Sequence, residues 1–177
     1  MKIYVDMDGV LSDLDGSLAV WGGVSLNFVR SNFDFRESLI RNRVSRMGLS
    51  HWESLAPLNK EKWKSDLRAL KKAGHEIEIL TSYGTWDPLE IGPLSHQGKC
   101  NWLRSNYGDL FAEGVLTGFN GVEKCTDKSL FSKPGTLLVD DSPKNTEEFM
   151  RGQGRAILYR SETHETCVSN INQAGDT

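Results

Sequence analysis

Six side chains in this sequence have types and spacings suited to chemistry. Asp6 and Asp8 stand one residue apart in Asp6-Met7-Asp8-Gly9-Val10, directly after the apolar run 2–5. Residues i and i+2 of a strand point to the same side, so both carboxylates leave the strand end toward one point. Two carboxylates held this close repel each other unless a cation or a proton lies between them. A second acidic pair, Asp140-Asp141, ends the apolar run 136–139, and Thr81-Ser82 ends the run 75–80. Four carboxylates gathered at one edge make a hard, oxygen-rich site suited to Mg²⁺. The hydroxyls and nearby turn N–H groups suit phosphate oxygens, and a lysine would complete the charge balance. Divalent metal, phosphate and a spare carboxylate together point to phosphoryl transfer. Four lysines lie between Thr81 and Asp140: Lys99, Lys124, Lys128 and Lys133.

These groups meet only if the strands carrying them lie side by side and point the same way. The run 136–139 is continuously apolar, as a strand covered on both faces requires. Ser142-Pro143 then reads as a helix start, with serine capping and proline at the first helical position. Asn145 braces that helix or steadies the acidic loop. Gly152 and Gly154 end the helix before a last strand at 156–159. Asn59 is expected to cap a helix whose Trp63, Leu67 and Leu70 form one apolar stripe, with Gly74 ending it. Ile77 and Ile79 alternate in the strand that follows. Pro88, Gly92 and Pro93 predict a loop over 86–98, before a helix at 99–107 and a short third strand at 114–117. Strands alternating with helices imply an α/β, Rossmann-like parallel sheet with helices on both faces. In such sheets ligands collect at the carboxyl ends of the strands.

The stretch 14–58 breaks the alternation. It is rich in helix formers, with apolar residues three and four apart, and predicts a small helical cap inserted after the first strand. The chain therefore divides into a catalytic core at 1–13 and 59–160, the cap at 14–58, and a polar tail at 161–177 that is expected to fray. A chain of 177 residues is one ordinary domain with room for such an insertion. A net charge of -3 gives no basic field for a polyanion, so no stable nucleic-acid complex is expected. No apolar run reaches membrane-spanning length and no leader is visible, so the expectation is a cytoplasmic protein without a membrane partner. Three scattered cysteines suggest neither a disulfide framework nor a zinc site. The four histidines, His51, His75, His96 and His164, have no partner pattern and read as surface or structural residues. Nothing in the pattern forbids a homo-oligomer.

Asp6-Met7-Asp8-Gly9-Val10, Thr81 after an apolar strand, a following lysine, and Leu138-Val139-Asp140-Asp141 resemble the four ordered motifs of the haloacid dehalogenase (HAD) superfamily of phosphatases. The resemblance runs from residue 1 to about residue 159. Lys128-Ser129-Leu130-Phe131 ahead of the Asp-Asp strand resembles the third motif. Lys99, in Lys99-Cys100-Asn101-Trp102, instead resembles a helix start in the 5'(3')-deoxyribonucleotidase branch, which shares Asp-Met-Asp-Gly-Val and Leu-Thr-Ser. The resemblance implies Asp6 as nucleophile, forming an aspartyl-phosphate, and Asp8 as the acid and base. It implies Thr81, Ser82 and Lys128, with Lys99 as second choice, around the phosphoryl group. Asp6, Asp8 (through its carbonyl), Asp140 and Asp141 become the Mg²⁺ ligands. Phe28, Phe33 and Trp52 of the cap are candidates to stack on a base, the alternative being that they fill the cap's own core. The implied reaction is hydrolysis of a small phosphorylated substrate, foremost a nucleoside or deoxynucleoside 5'-monophosphate. The alternatives are 3'-phosphorylated nucleic-acid ends, small sugar phosphates, and a non-enzymatic phosphate-binding or receiver-like signalling role.

Overall fold

The computed structural model describes residues 1–82, 91–110 and 127–175. Strands β1 (Lys2–Val5), β2 (Glu76–Ile79), β3 (Thr136–Asp140) and β4 (Arg155–Leu158) form one sheet in the order β2-β1-β3-β4. Every pairing is parallel, with Val5 level with both Ile79 and Val139, and Asp140 level with Leu158. Equal register brings Asp6, Thr81 and Asp140 to one edge. The chain leaves β1 for β2 on one side and returns to β3 on the other. Asp6 and Asp140 thus flank the point where strand order reverses, the usual crevice for ligands in an open α/β sheet.

The helices are α1 (Leu14–Gly22), α2 (Leu26–Ser31), α3 (Phe33–Met47), α4 (Ser50–Glu53), α5 (Lys60–Lys72), α6 (Ile91–Tyr107), α7 (Pro143–Arg151) and α8 (His164–Gly175). The strand pleat separates two cores. Ile3, Val5, Ile77, Ile79, Leu137 and Val139 pack on one face, against Trp63 and Leu67 of α5, Trp102 and Tyr107 of α6, and Ile171 of α8. Tyr4 and Leu138 point the other way, to Phe149 of α7. Helices on both faces follow from this alternation. Leu14, Leu18, Val29, Ile40, Val44 and Trp52 of α1–α4 belong to the larger cluster, so the inserted helices share the sheet's core.

Three expectations change. The loop reading over 86–98 fails from residue 91 onward, because α6 begins at Ile91. Pro93 lies in its first turn, where the missing N–H interrupts no helical bond. Asn59 does not cap α5 through its side chain. It sits in the left-handed region (φ 46°), and its amide donates to Tyr159 Oη (3.2 Å) and the Ser161 carbonyl (3.1 Å) instead. The tail does not fray over its described length, since α8 buries Cys167 and Ile171. His164 at the start of α8 is buried between Asp66 (Nε2–Oδ2 2.9 Å) and Tyr159 (Nδ1–Oη 3.2 Å). Ser142 caps α7 as expected, its hydroxyl accepting from the Asn145 N–H (3.4 Å) with Pro143 at the first position. The strand expected at 114–117 and Lys124 lie outside the described residues. Among the described residues, no helix is long and apolar enough to cross a membrane.

Candidate active site

The backbone that carries Asp6 is fixed by the sheet. Its N–H donates to the Val139 carbonyl (2.9 Å), extending the β1–β3 ladder by one residue. Beyond it the chain turns tightly, with the Leu11 and Ser12 N–H groups both donating to the Met7 carbonyl (2.8 Å each). Gly9 occupies this turn at φ +77°, and a Cβ there would lie 2.0 Å from Asp141 Oδ2. Glycine is therefore required twice, for the left-handed backbone and for the close approach of the second acidic loop.

Two acid–lysine groups meet at this edge. Lys128, on a single turn of 3-10 helix (Lys128–Phe131), puts its buried ammonium 3.0 Å from Asp6 Oδ1 and 2.5 Å from Asp140 Oδ2. Asp140 is fully buried and accepts from the Ser142 N–H (2.8 Å) and from the Asn145 amide (3.1 Å to each oxygen). Lys99, 1 % exposed on α6, bonds to Asp8 and the Ser82 carbonyl and donates to Thr81 Oγ1 (3.1 Å). Both lysines that the sequence left in competition thus reach the strand ends, on different carboxylates.

Charge explains what such a site can hold. Asp6, Asp140 and Asp141 each offer a carboxylate oxygen within 4.8 Å of the others. The Asp8 carboxylate lies outside that group, occupied by Lys99 and the Ser12 hydroxyl (3.2 Å). Four carboxylates face two ammonium groups, which leaves a deficit equal to one divalent cation. Protons fill part of that deficit: burial, reinforced by Asp6 and Asp140, pushes the Asp141 carboxyl up to about 8. Burial also raises Asp6 against the pull of Lys128. Burial works against the Lys128 ammonium, but Asp6 and Asp140 outweigh it and hold it above the ordinary lysine value. A cluster of hard oxygen donors short of positive charge fits Mg²⁺ or a similar cation.

The aromatic candidates separate. Phe33 is 70 % exposed, and Phe28 is open to solvent and packs edge-on against Phe35 (5.1 Å). Trp52 is buried, and the Lys99 ammonium lies 4.6 Å from the centroid of its ring. Four further residues escaped sequence reasoning. Ser12 binds Asp8, and Arg160 donates to the Asp141 carbonyl (2.6 Å). Asp15, buried on α1, is held by Arg36 of α3 (2.7 Å) and adds to the upward pressure on Asp141. None belongs to a motif; each is defined by its partner across the fold.

No protein-family model and no curated protein matches the chain. Solved structures are similar to it. A HAD family hydrolase from Deinococcus radiodurans R1, with bound phosphate and sodium, superposes with a TM-score of 0.50 at 12% identity. The superposition covers 88% of this chain and 78% of that one. A protein described as a predicted HAD-like family hydrolase from Porphyromonas gingivalis aligns with a TM-score of 0.40 at 12% identity, over 90% of this chain and 91% of that one. The first likeness shows that this chain has the α/β fold of a HAD hydrolase.

Proposed function

We propose that the chain is a HAD-type phosphomonoesterase, acting through an aspartyl-phosphate on small phosphorylated substrates. The observation that carries this reading is the pairing of Asp6 with Lys128 and of Asp8 with Lys99 at the edge where Asp140, Asp141 and Thr81 also end. Asp6 attacks the phosphorus and the bond to the leaving oxygen breaks. Asp8 hands a proton to that oxygen, then takes one from the water that hydrolyses the acyl phosphate. Lys99 and the Thr81 hydroxyl, already bonded to each other, bind the phosphoryl oxygens. Lys128 holds Asp6 and Asp140 in place against their mutual repulsion. Asp6, Asp140 and Asp141 would hold a divalent cation such as Mg²⁺, which supplies charge neutralisation for the incoming phosphate dianion.

For the substrate we propose a nucleoside or deoxynucleoside 5'-monophosphate. The support is the Asp-Met-Asp-Gly-Val and Leu-Thr-Ser pattern, together with a helical insertion directly after the nucleophile strand. Phosphate release with Mg²⁺ against nucleoside 5'-monophosphates, 3'-phosphorylated oligonucleotides and sugar phosphates tests it, with Asp6→Asn as control. Selective turnover of nucleotides, abolished by Asp6→Asn, is the expected result. A wild type that binds phosphate yet releases none from any substrate would refute the enzyme and leave a binding protein.

A further inference from the structure

We propose that Trp52 is a positioning residue: its indole face seats the Lys99 ammonium, so that the inserted helices set how the phosphoryl group is received. The inference rests on the phosphatase reading above and adds to it a dependence on a residue outside the motifs. Lys99 is almost completely buried, and a buried ammonium needs partners on every side. Asp8, Thr81 Oγ1 and the Ser82 carbonyl supply them toward the strand ends, and the Trp52 ring supplies the remaining one from α4. A cation over an indole face gains most where water is excluded.

The junction that presents this ring is built closely. A Cβ at Gly98, the residue before Lys99, would lie 2.8 Å from Trp52 Cβ and Cδ1, so only glycine lets α6 approach the indole. On the next turn Asn101 donates to Glu53 (2.6 Å), and the Trp102 indole N–H donates to the Leu55 carbonyl (2.8 Å). His51 stands edge-on to the ring (4.4 Å between centroids) and is held neutral by burial, down to about 4, so it adds no rival charge.

A filling role alone does not account for the indole. Trp63 and Trp102 are equally buried, and their N–H groups reach the Val10 and Leu55 carbonyls. Among the described residues the Trp52 N–H has no partner. A buried unpaired donor is costly, and phenylalanine would fill much of the space without it. What tryptophan offers beyond phenylalanine is the stronger ring face for a cation.

The test replaces Trp52, site-specifically, with mono-, di- and trifluorinated tryptophan, which keep the shape and progressively weaken the ring face. Two readouts are taken in the presence of Mg²⁺: the dissociation constant for inorganic phosphate, and urea unfolding. Phosphate affinity is expected to fall stepwise by about tenfold across the series. Urea unfolding midpoints are expected to fall in step with it in the wild-type background and to stay flat in Lys99→Met, where the coupled partner is gone. A wild type that releases and binds phosphate with a flat fluorination series overturns the seat while leaving the phosphatase reading intact. An equal slope in Lys99→Met overturns it as well, by reducing Trp52 to packing. A wild type with neither turnover nor phosphate binding defeats both readings.

Discussion

Replacing Lys128 with methionine removes the buried cation between Asp6 and Asp140 while keeping most of the side chain's volume. Breaking a buried ion pair from one side costs about 3–5 kcal/mol, because the surviving charge is left without a partner. Protonation sets a ceiling on that cost. Burial already raises Asp6 to about 6 in the folded protein, so completing its protonation at pH 7 requires only about 1.4 kcal/mol, at 1.36 kcal/mol per pH unit. At pH 5, below that value, the proton is already largely in place and the same neutralisation adds almost nothing. The sign is fixed by linkage: without the pull of Lys128 the folded-state value of Asp6 rises further. A carboxyl raised in the folded state contributes stability that is full below its unfolded value and is lost as pH climbs through the folded one. The methionine variant should therefore lose about 1–2 kcal/mol at pH 7, or about 3–6 °C in Tm for a chain of this size, and close to nothing at pH 5. Thermal and urea unfolding of both proteins at the two pH values, without divalent cation, measures it. A loss of equal size at pH 5 and pH 7 would show that Lys128 acts through packing and not by compensating the two acids.

Three further outcomes follow from the same geometry. Mg²⁺ affinity should rise with pH by up to about tenfold per unit and level off above about 8, since the Asp141 proton must leave before the oxygen can ligate; calorimetric titration between pH 6 and 9 checks this, and a flat profile defeats it. Gly9→Ala should cost about 1–3 kcal/mol and weaken Mg²⁺ binding, because it strains a left-handed turn and drives a methyl into Asp141; unchanged stability would show that the acidic loop yields freely. Ile171→Ala should destabilise by about 2–5 kcal/mol in urea, as expected for a fully buried isoleucine and not for a frayed tail.

What the sequence made legible was whatever a short local pattern encodes. Asp6 and Asp140 were visible because each follows an apolar strand, and parallel register then aligns strand ends without further information. The capping of α7 was visible because serine followed by proline has one common use in a chain. The α6 start was misplaced for the converse reason: Pro93 is a breaker in a helix interior but harmless in a first turn, and local pattern alone does not say which turn it occupies. Asn59 and the tail were misread together, because the asparagine side chain whose oxygen was expected to cap α5 is turned instead toward Tyr159 and Ser161, about a hundred residues away, to which its NH2 donates.

The two lysines are the more instructive case. Sequence reasoning set Lys99 against Lys128 as if the site had room for one ammonium. The structure contains four carboxylates on two strand ends, and one lysine does not offset them. Lys128 belongs to Asp6 and Asp140, Lys99 to Asp8 and Thr81. The choice had been posed as motif spacing, whereas the quantity that decides it is charge within one buried volume. The same accounting leaves Asp141 holding a proton near neutral pH, which makes the acidic loop the part of the site most responsive to an incoming cation. Trp52 lies against that same charge, because an aromatic face, an indole most of all, is an apolar surface that a buried ammonium can use as a partner.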